Sequence, residues 1–148
     1  SEPIHQEKTL KCLRGFMKSW FKSIESDPTD SAYPVERILD ELVFNEDGLI
    51  PVISQDHISK EVLMLAWMNR VSLEETLSSS KMCYWSRSRQ AFWRKGESSG
   101  HWQSLIELRI DCDGDVLLAS VNQEGAACHT ERKSCFYLKF EDNQVRIV

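Results

Sequence analysis

The sequence predicts an α+β domain that is compact and strand-rich, with a mainly antiparallel sheet and few helices. Three observations predict it. Short apolar runs of strand length recur from Leu42 onward, polar turns such as Asn45-Glu46-Asp47-Gly48 and Asp113-Gly114 separate them, and only residues 72–79 in that region have helical composition. A length of 148 residues, with 41% hydrophobic and 28% charged side chains, suits one domain able to bury a real core.

Residues 8–24 carry Leu10, Leu13, Met17, Trp20 and Ile24 at helical spacing, with Phe16 and Phe21 widening the stripe and Lys11, Lys18 and Lys22 among the remaining positions. That pattern predicts an amphipathic helix whose apolar face packs on the domain or on a partner subunit in preference to a membrane surface. Asp27, Pro28, Asp30 and Pro34 make residues 26–34 a linker. The expected organisation is therefore a helix and linker over 1–34 and the folded domain over 35–148. Strands over 42–44 and 49–54 are expected to form a hairpin around Asn45-Glu46-Asp47-Gly48. Residues 61–68 are a dense apolar run compatible with strand or helix, and 72–79 form a helix with Ser72 as its N-cap. Residues 82–86 are expected to be extended. Strands over 105–112 and 116–121 flank Asp113-Gly114, and 135–140 and 144–148 flank a last polar turn.

Net charge is −5, from 18 basic and 23 acidic side chains, so no global positive field recruits nucleic acid or anionic membrane. No apolar run is long enough to span a bilayer, and the amino terminus lacks the pattern of a secretory signal. Five cysteines, an odd number, argue against a disulfide framework, and a reducing cytoplasm is the expected setting.

Cys112, Cys128 and Cys135 lie in the segments Asp111-Cys112-Asp113-Gly114-Asp115 and 127–137, the second of which also holds His129. Zinc favours thiolate, and a catalytic zinc commonly has three protein ligands and an open fourth position, so three cysteines fit an open site. Adjacent Cys128 and His129 rarely reach one metal together, which disfavours a closed structural site with His129 as fourth ligand. Asp111, Asp113 and Asp115 alternate and would share one face of a continuous strand, a set that suits a hard cation such as magnesium. An EF-hand is excluded, because Val116 and Asn122 stand where its glycine and last glutamate belong. The plain alternative is an acidic hairpin turn.

Trp85, Ser86, Arg87, Ser88, Arg89 and Lys95 offer donors and positive charge to a phosphate and an aromatic face to a base or sugar. Such a strip is also what a solvated face over an aromatic core looks like. Cys12 and Cys83 are expected to be packed, and His57 and His101 to be structural or rim residues.

Several blocks together carry a resemblance: Met64-Leu65-Ala66-Trp67-Met68-Asn69, Tyr84-Trp85-Ser86-Arg87-Ser88-Arg89, Trp93-x-Lys95-Gly96-Glu97-x-Ser99-Gly100, Asp111-Cys112-Asp113-Gly114-Asp115, Gln123-x-Gly125-x-Ala127-Cys128-His129-Thr130 and Ser134-Cys135-Phe136-Tyr137. In order and spacing they resemble the phosphoribosyl-AMP cyclohydrolases, over roughly residues 42–140. The resemblance implies a cytoplasmic histidine-biosynthesis enzyme that opens the adenine ring of phosphoribosyl-AMP hydrolytically between N1 and C6, giving the formimino-carboxamide ribonucleotide. It implies an intertwined homodimer in which zinc is held by Cys112 of one subunit with Cys128 and Cys135 of the other, and magnesium bound through Asp111, Asp113 and Asp115. A water activated by zinc would attack C6, as in the zinc nucleobase deaminases. His129 is the candidate for proton transfer, with orientation of Cys128 or of the water as its alternative role. Ser86, Arg87, Ser88, Arg89 and Lys95 are expected at the phosphate or ribose, with Trp85, Thr130 and Ser134 completing the substrate site. Two competing functions remain: a zinc-stabilised dimer that binds a nucleotide without hydrolysing it, and deamination, which the missing His-x-Glu and Pro-Cys-x-x-Cys arrangement disfavours. One departure stands out. Glu131 follows Thr130 where the family has glycine, which puts a tight turn or an anion contact in question.

Overall fold

The structure is a computed structural model that describes residues 19–148. The expected helix over 8–24 falls largely outside these residues. Its last part differs from expectation: Ser19 has the extended backbone of an N-cap, its hydroxyl accepts from the Phe21 N–H, and a five-residue helix α1 (Trp20–Ile24) starts there. The described residues divide into two compact units, one comprising 19–43 with 112–114, the other 44–111 with 115–148.

In the first unit, α1 is followed by the irregular linker and then by α2 (Val35–Glu41), which begins after Pro34. Trp20 meets Tyr33 edge to face at 5.1 Å, and the Arg37 guanidinium lies 5.3 Å from the Trp20 ring centroid. The α2 helix was not among the sequence expectations, and it displaces the strand expected at 42–44. Leu42 closes the helix by donating to the Ile38 carbonyl, and Val43 donates to the Gly114 carbonyl at 2.8 Å, so no ladder forms there. Gly114 has φ +72°, and a Cβ added to it would stand 2.2 Å from the Phe21 ring. Only glycine satisfies both conditions.

The second unit holds all the strands found among the described residues. The turn at Asn45 forms as expected, its side-chain oxygen accepting from the N–H groups of Asp47 and Leu49. It leads into β1 (Ile50–Asp56), which pairs antiparallel with β2 (Val62–Met68). The apolar run at 61–68 is therefore a strand. Helix α3 (Arg70–Ser79) follows, capped by Asn69: its side chain accepts from the Ser72 N–H at 2.8 Å while the Ser72 hydroxyl accepts from the Asn69 N–H at 3.0 Å. Ser72 is thus the returning half of a capping box instead of the N-cap.

A two-stranded ribbon, β3 (Cys83–Ser86) with β4 (Ala91–Arg94), is tied to α3 through Thr76, whose hydroxyl accepts from the Cys83 N–H at 3.0 Å. β5 (Gln103–Ile110) pairs antiparallel with β6 (Leu117–Gln123), and β6 pairs parallel with β1, giving the sheet order β2-β1-β6-β5. The sheet is mainly antiparallel, as expected. Ile50, Val52, Leu63, Met68, Leu73, Met82, Tyr84, Leu117, Ala119 and Val121 form its solvent-excluded core. A final ribbon, β7 (Leu138–Glu141) with β8 (Gln144–Ile147), sets Leu138 opposite Ile147 and Phe140 opposite Val145. Alternation along both strands puts these four side chains on one face. That face is open, with Phe140 89% exposed. Among the described residues, no helix is long and apolar enough to cross a membrane.

Candidate metal centre and nucleotide site

Residues 126–137 form a loop that closes on the edge of β2. The Cys135 N–H donates to the Leu63 carbonyl at 2.7 Å and the Ser134 hydroxyl to the Val62 carbonyl at 2.8 Å, which satisfies part of an otherwise open strand edge. Within the loop, Ala127 and Cys128 donate to the carbonyls of Lys133 and Arg132, both at 3.1 Å. The chain reverses at Glu131, whose φ is +68°. Glu131 thus stands in the left-handed region, which glycine adopts freely and a glutamate occupies at a cost of about 1 kcal/mol or more.

This loop brings Cys128 and Cys135 together as interacting thiols. The Thr130 hydroxyl donates to the Cys128 sulfur at 3.1 Å. That bond, with the Thr130 backbone N–H, holds the Cys128 thiol below its ordinary range. Cys135 moves the other way. Although the residue as a whole is exposed, desolvation around its sulfur and the neighbouring Cys128 charge push it up to about 11. Two adjacent soft donors, one biased toward thiolate, fit a zinc site by their chemistry. Cys112, exposed and free, belongs to the other unit. His129 is exposed beside Cys128.

The acidic triplet is not on a strand face. β5 ends at Ile110, and Asp111 opens a turn in which its Oδ1 accepts from the N–H groups of Asp115 and Val116 at 3.1 and 3.3 Å. The expected alternation fails because the strand ends at Ile110, two residues short of the expected end at 112, and the plain alternative of an acidic turn describes the backbone. The turn nevertheless gathers the exposed carboxylates of Asp111, Asp113 and Asp115, each able to offer an oxygen within 4.8 Å of the others. An all-oxygen set of this kind suits a hard cation.

The phosphate strip divides. Ser86, Arg87, Ser88 and Arg89 surround the tip of the β3–β4 ribbon, where the Ser86 hydroxyl accepts from the Arg89 backbone N–H and from its Nε, both at 3.3 Å. Arg87 is exposed and lies 4.8 Å from the Trp67 ring centroid, and Trp85 stacks edge to face on Phe92 at 5.3 Å. Arg94 is held by Glu75, with Nη2 2.8 Å from Oε1. Lys95 points inward: it is 7% exposed, and its Nζ donates to the Ala127 carbonyl at 2.7 Å. Thr130 and Ser134, expected at substrate, have hydroxyls directed at the Cys128 sulfur and the β2 edge.

A buried polar chain had no counterpart in the sequence reading. Ser54 contacts the Tyr84 hydroxyl, which donates to Gln103 Oε1 at 2.7 Å, and Gln103 Nε2 donates to Gln123 Oε1 at 2.7 Å. Gln123 then donates to the carbonyls of His101 and Glu124. This chain fixes the end of β6 just before the cysteine loop. Its one sequence signal is Gln103 heading a strand that leads into apolar residues.

The family model for phosphoribosyl-AMP cyclohydrolase matches residues 64–137, a span that holds the acidic turn, the arginine ribbon and the whole cysteine loop. The chain belongs to the phosphoribosyl-AMP cyclohydrolase family. Relatives agree over most of their lengths. A protein of Pseudomonas fluorescens named phosphoribosyl-AMP cyclohydrolase 2 is 56% identical over 125 residues, covering 84% of this chain and 85% of that protein. The phosphoribosyl-AMP cyclohydrolase of Alcanivorax borkumensis is 55% identical over 127 residues, 86% of this chain and 89% of the other. That of Halorhodospira halophila is 63% identical over 108 residues, 73% and 76%.

Proposed function

We propose that the protein hydrolyses the N1–C6 bond of phosphoribosyl-AMP in histidine biosynthesis, at a zinc held by Cys128 and Cys135 of one subunit and Cys112 of the partner subunit. The observation that carries this reading is the interacting thiol pair, with Thr130 biasing Cys128 toward thiolate. Zinc held by these thiols would supply Lewis acidity suited to hydrolytic attack on an electron-poor ring carbon. His129, beside Cys128, moves a proton toward N1 so that the ring bond breaks in preference to loss of the exocyclic amine. Arg87, Arg89, Ser86 and Ser88 present charge and hydroxyls at a ribbon tip where a phosphate can be reached from solvent. Trp85 offers the adjoining aromatic surface. Asp111, Asp113 and Asp115 would hold magnesium, adding positive charge for the substrate's phosphate.

The open face of β7 and β8 supports the homodimer. Leu138, Phe140, Val145 and Ile147 are 59%, 89%, 55% and 62% exposed. Together they leave roughly 500 Å² of apolar surface, at the upper range of what a monomer shows. The ribbon follows Cys135 and Phe136 directly in the chain, so a subunit covering it would lie beside the cysteine loop.

Subunit mixing tests the shared site. Cys112→Ala and Cys128→Ala homodimers are each expected to be inactive. Refolded together they form mixed dimers with one intact site, recovering about a quarter of wild-type turnover under random two-fold pairing. Activity that fails to return on mixing would show that the three thiols are not divided between subunits.

A further inference from the structure

Lys95 is the residue whose surroundings fit least with an exposed phosphate ligand. Lysine is almost never fully buried without a partner, because taking its charge out of water costs several kcal/mol. Here the side chain is buried, its Nζ donates at 2.7 Å to the carbonyl of Ala127, the residue preceding Cys128, and it lies 5.3 Å from the Trp93 ring centroid. The backbone that delivers it is fixed on both sides. The Lys95 N–H donates to the Met82 carbonyl, and Gly96 turns at φ +93° so close to Trp102 that an added Cβ would stand 2.6 Å from its Cα. Burial pushes the ammonium pKa down, and negative charge on Cys135 and Cys128 opposes that shift. The Ala127 carbonyl contact ties the ammonium to the peptide that leads into Cys128.

We propose that Lys95 is the positioning cation of the cysteine loop: it pins the Ala127–Cys128 peptide and offsets the negative charge that collects when both thiols become ligands. Three thiolates around one divalent ion leave an excess negative charge, and Cys128 and Cys135 repel one another as anions. A fixed ammonium behind the loop balances this without competing for the metal, since it has no lone pair to donate. Trp93 covers the cation with an aromatic face and limits its contact with solvent. The backbone carbonyl, and not a substrate phosphate, is its partner.

The proposal rests on the zinc reading above, and the test separates the two. Zinc affinity of the intact protein is measured by competition with a chromogenic chelator for wild type, Lys95→Met and Lys95→Gln, together with kcat and KM for phosphoribosyl-AMP at saturating zinc. Both variants are expected to bind zinc about 10–100-fold more weakly and to lose about tenfold in kcat, while KM stays within about twofold. Glutamine keeps a donor for the Ala127 carbonyl, so wild-type zinc affinity in Lys95→Gln would overturn the role of the charge. A tenfold or greater rise in KM with unchanged zinc affinity would make Lys95 a substrate ligand and overturn the proposal. Should Lys95→Met fail to fold by circular dichroism, Lys95→Gln carries the same comparison. Wild-type protein that holds no zinc would sink the zinc reading and this proposal together, whereas wild-type and variant proteins that hold it equally would sink only the latter.

Discussion

Replacing Tyr84 by phenylalanine removes one oxygen from the centre of the second unit and leaves the ring packing in place. Tyr84, Ser54 and Gln103 are fully buried. The Tyr84 hydroxyl donates to Gln103 Oε1, which leaves Ser54 to donate to the Tyr84 oxygen. Burial pushes the phenol pKa well up, so the hydroxyl remains a donor at every working pH. Without it, Gln103 loses a donor and Ser54 an acceptor where no water reaches them, and each orphaned group costs ~1–3 kcal/mol. A loss of about 3 kcal/mol follows, or about 10 °C in Tm for a chain of this size. Urea and thermal unfolding at fixed protein concentration measure it, because the stability of the proposed dimer would depend on concentration. Combining Tyr84→Phe with Gln103→Leu should cost at least about 1 kcal/mol less than the two single losses added. A single-variant loss below about 0.5 kcal/mol, or strict additivity, would refute the claim that this chain acts as a unit.

Glu131→Gly relieves the left-handed strain at φ +68° and should raise stability by about 1 kcal/mol; improved substrate affinity would also show that the glutamate impedes an anion contact, and equal or worse affinity would show that it does not. Asp56 is held below its ordinary 3.8 by the Ser59 and then the Ile58 backbone N–H groups. Its contribution is therefore present above that value and lost as pH falls through the lower folded value. Unfolding midpoints of wild type and Asp56→Asn should differ by a constant amount at neutral and mildly acidic pH and converge below about pH 4. Phe140→Asp places a charge on the open β7–β8 face and, with the proposed homodimer closed by that face, should shift sedimentation toward monomer; unchanged sedimentation would remove the face from the proposed interface.

Much of the second unit was legible locally. Alternation and turn residues marked β1, β3, β6, α3 and the last ribbon, β7 with β8, since a half-buried strand and a helix write different periods into the chain; β4, the partner of β3, was not marked. Residues 42–44 misled because Leu42 is apolar for another reason: it closes α2, a helix whose short length gave too few turns to read. Ser72 looked like an N-cap because Asn69, the true cap, sits at the end of an apolar strand and serves as its stop. At the candidate site, residue type and spacing singled out the cysteines and aspartates; the aspartates gather in a turn and not on a strand face, and Cys128 and Cys135 share one loop. The direction of Lys95 was not, since a lysine within an arginine and tryptophan strip carries no local sign that its ammonium ends on the Ala127 carbonyl, far along the chain. Thr130 likewise gave no sign that its hydroxyl would find the Cys128 sulfur. The positive φ of Glu131 was legible only through the glycine that the family places there.

Turnover of phosphoribosyl-AMP by the purified protein, followed as ring-opened product before zinc removal, after it and after zinc is restored with magnesium present, tests the central claim most directly. The account predicts that product formation disappears with zinc and returns with it. Absence of turnover in the zinc-loaded, magnesium-supplied protein would contradict it and leave a nucleotide-binding dimer whose cysteine loop serves structure alone.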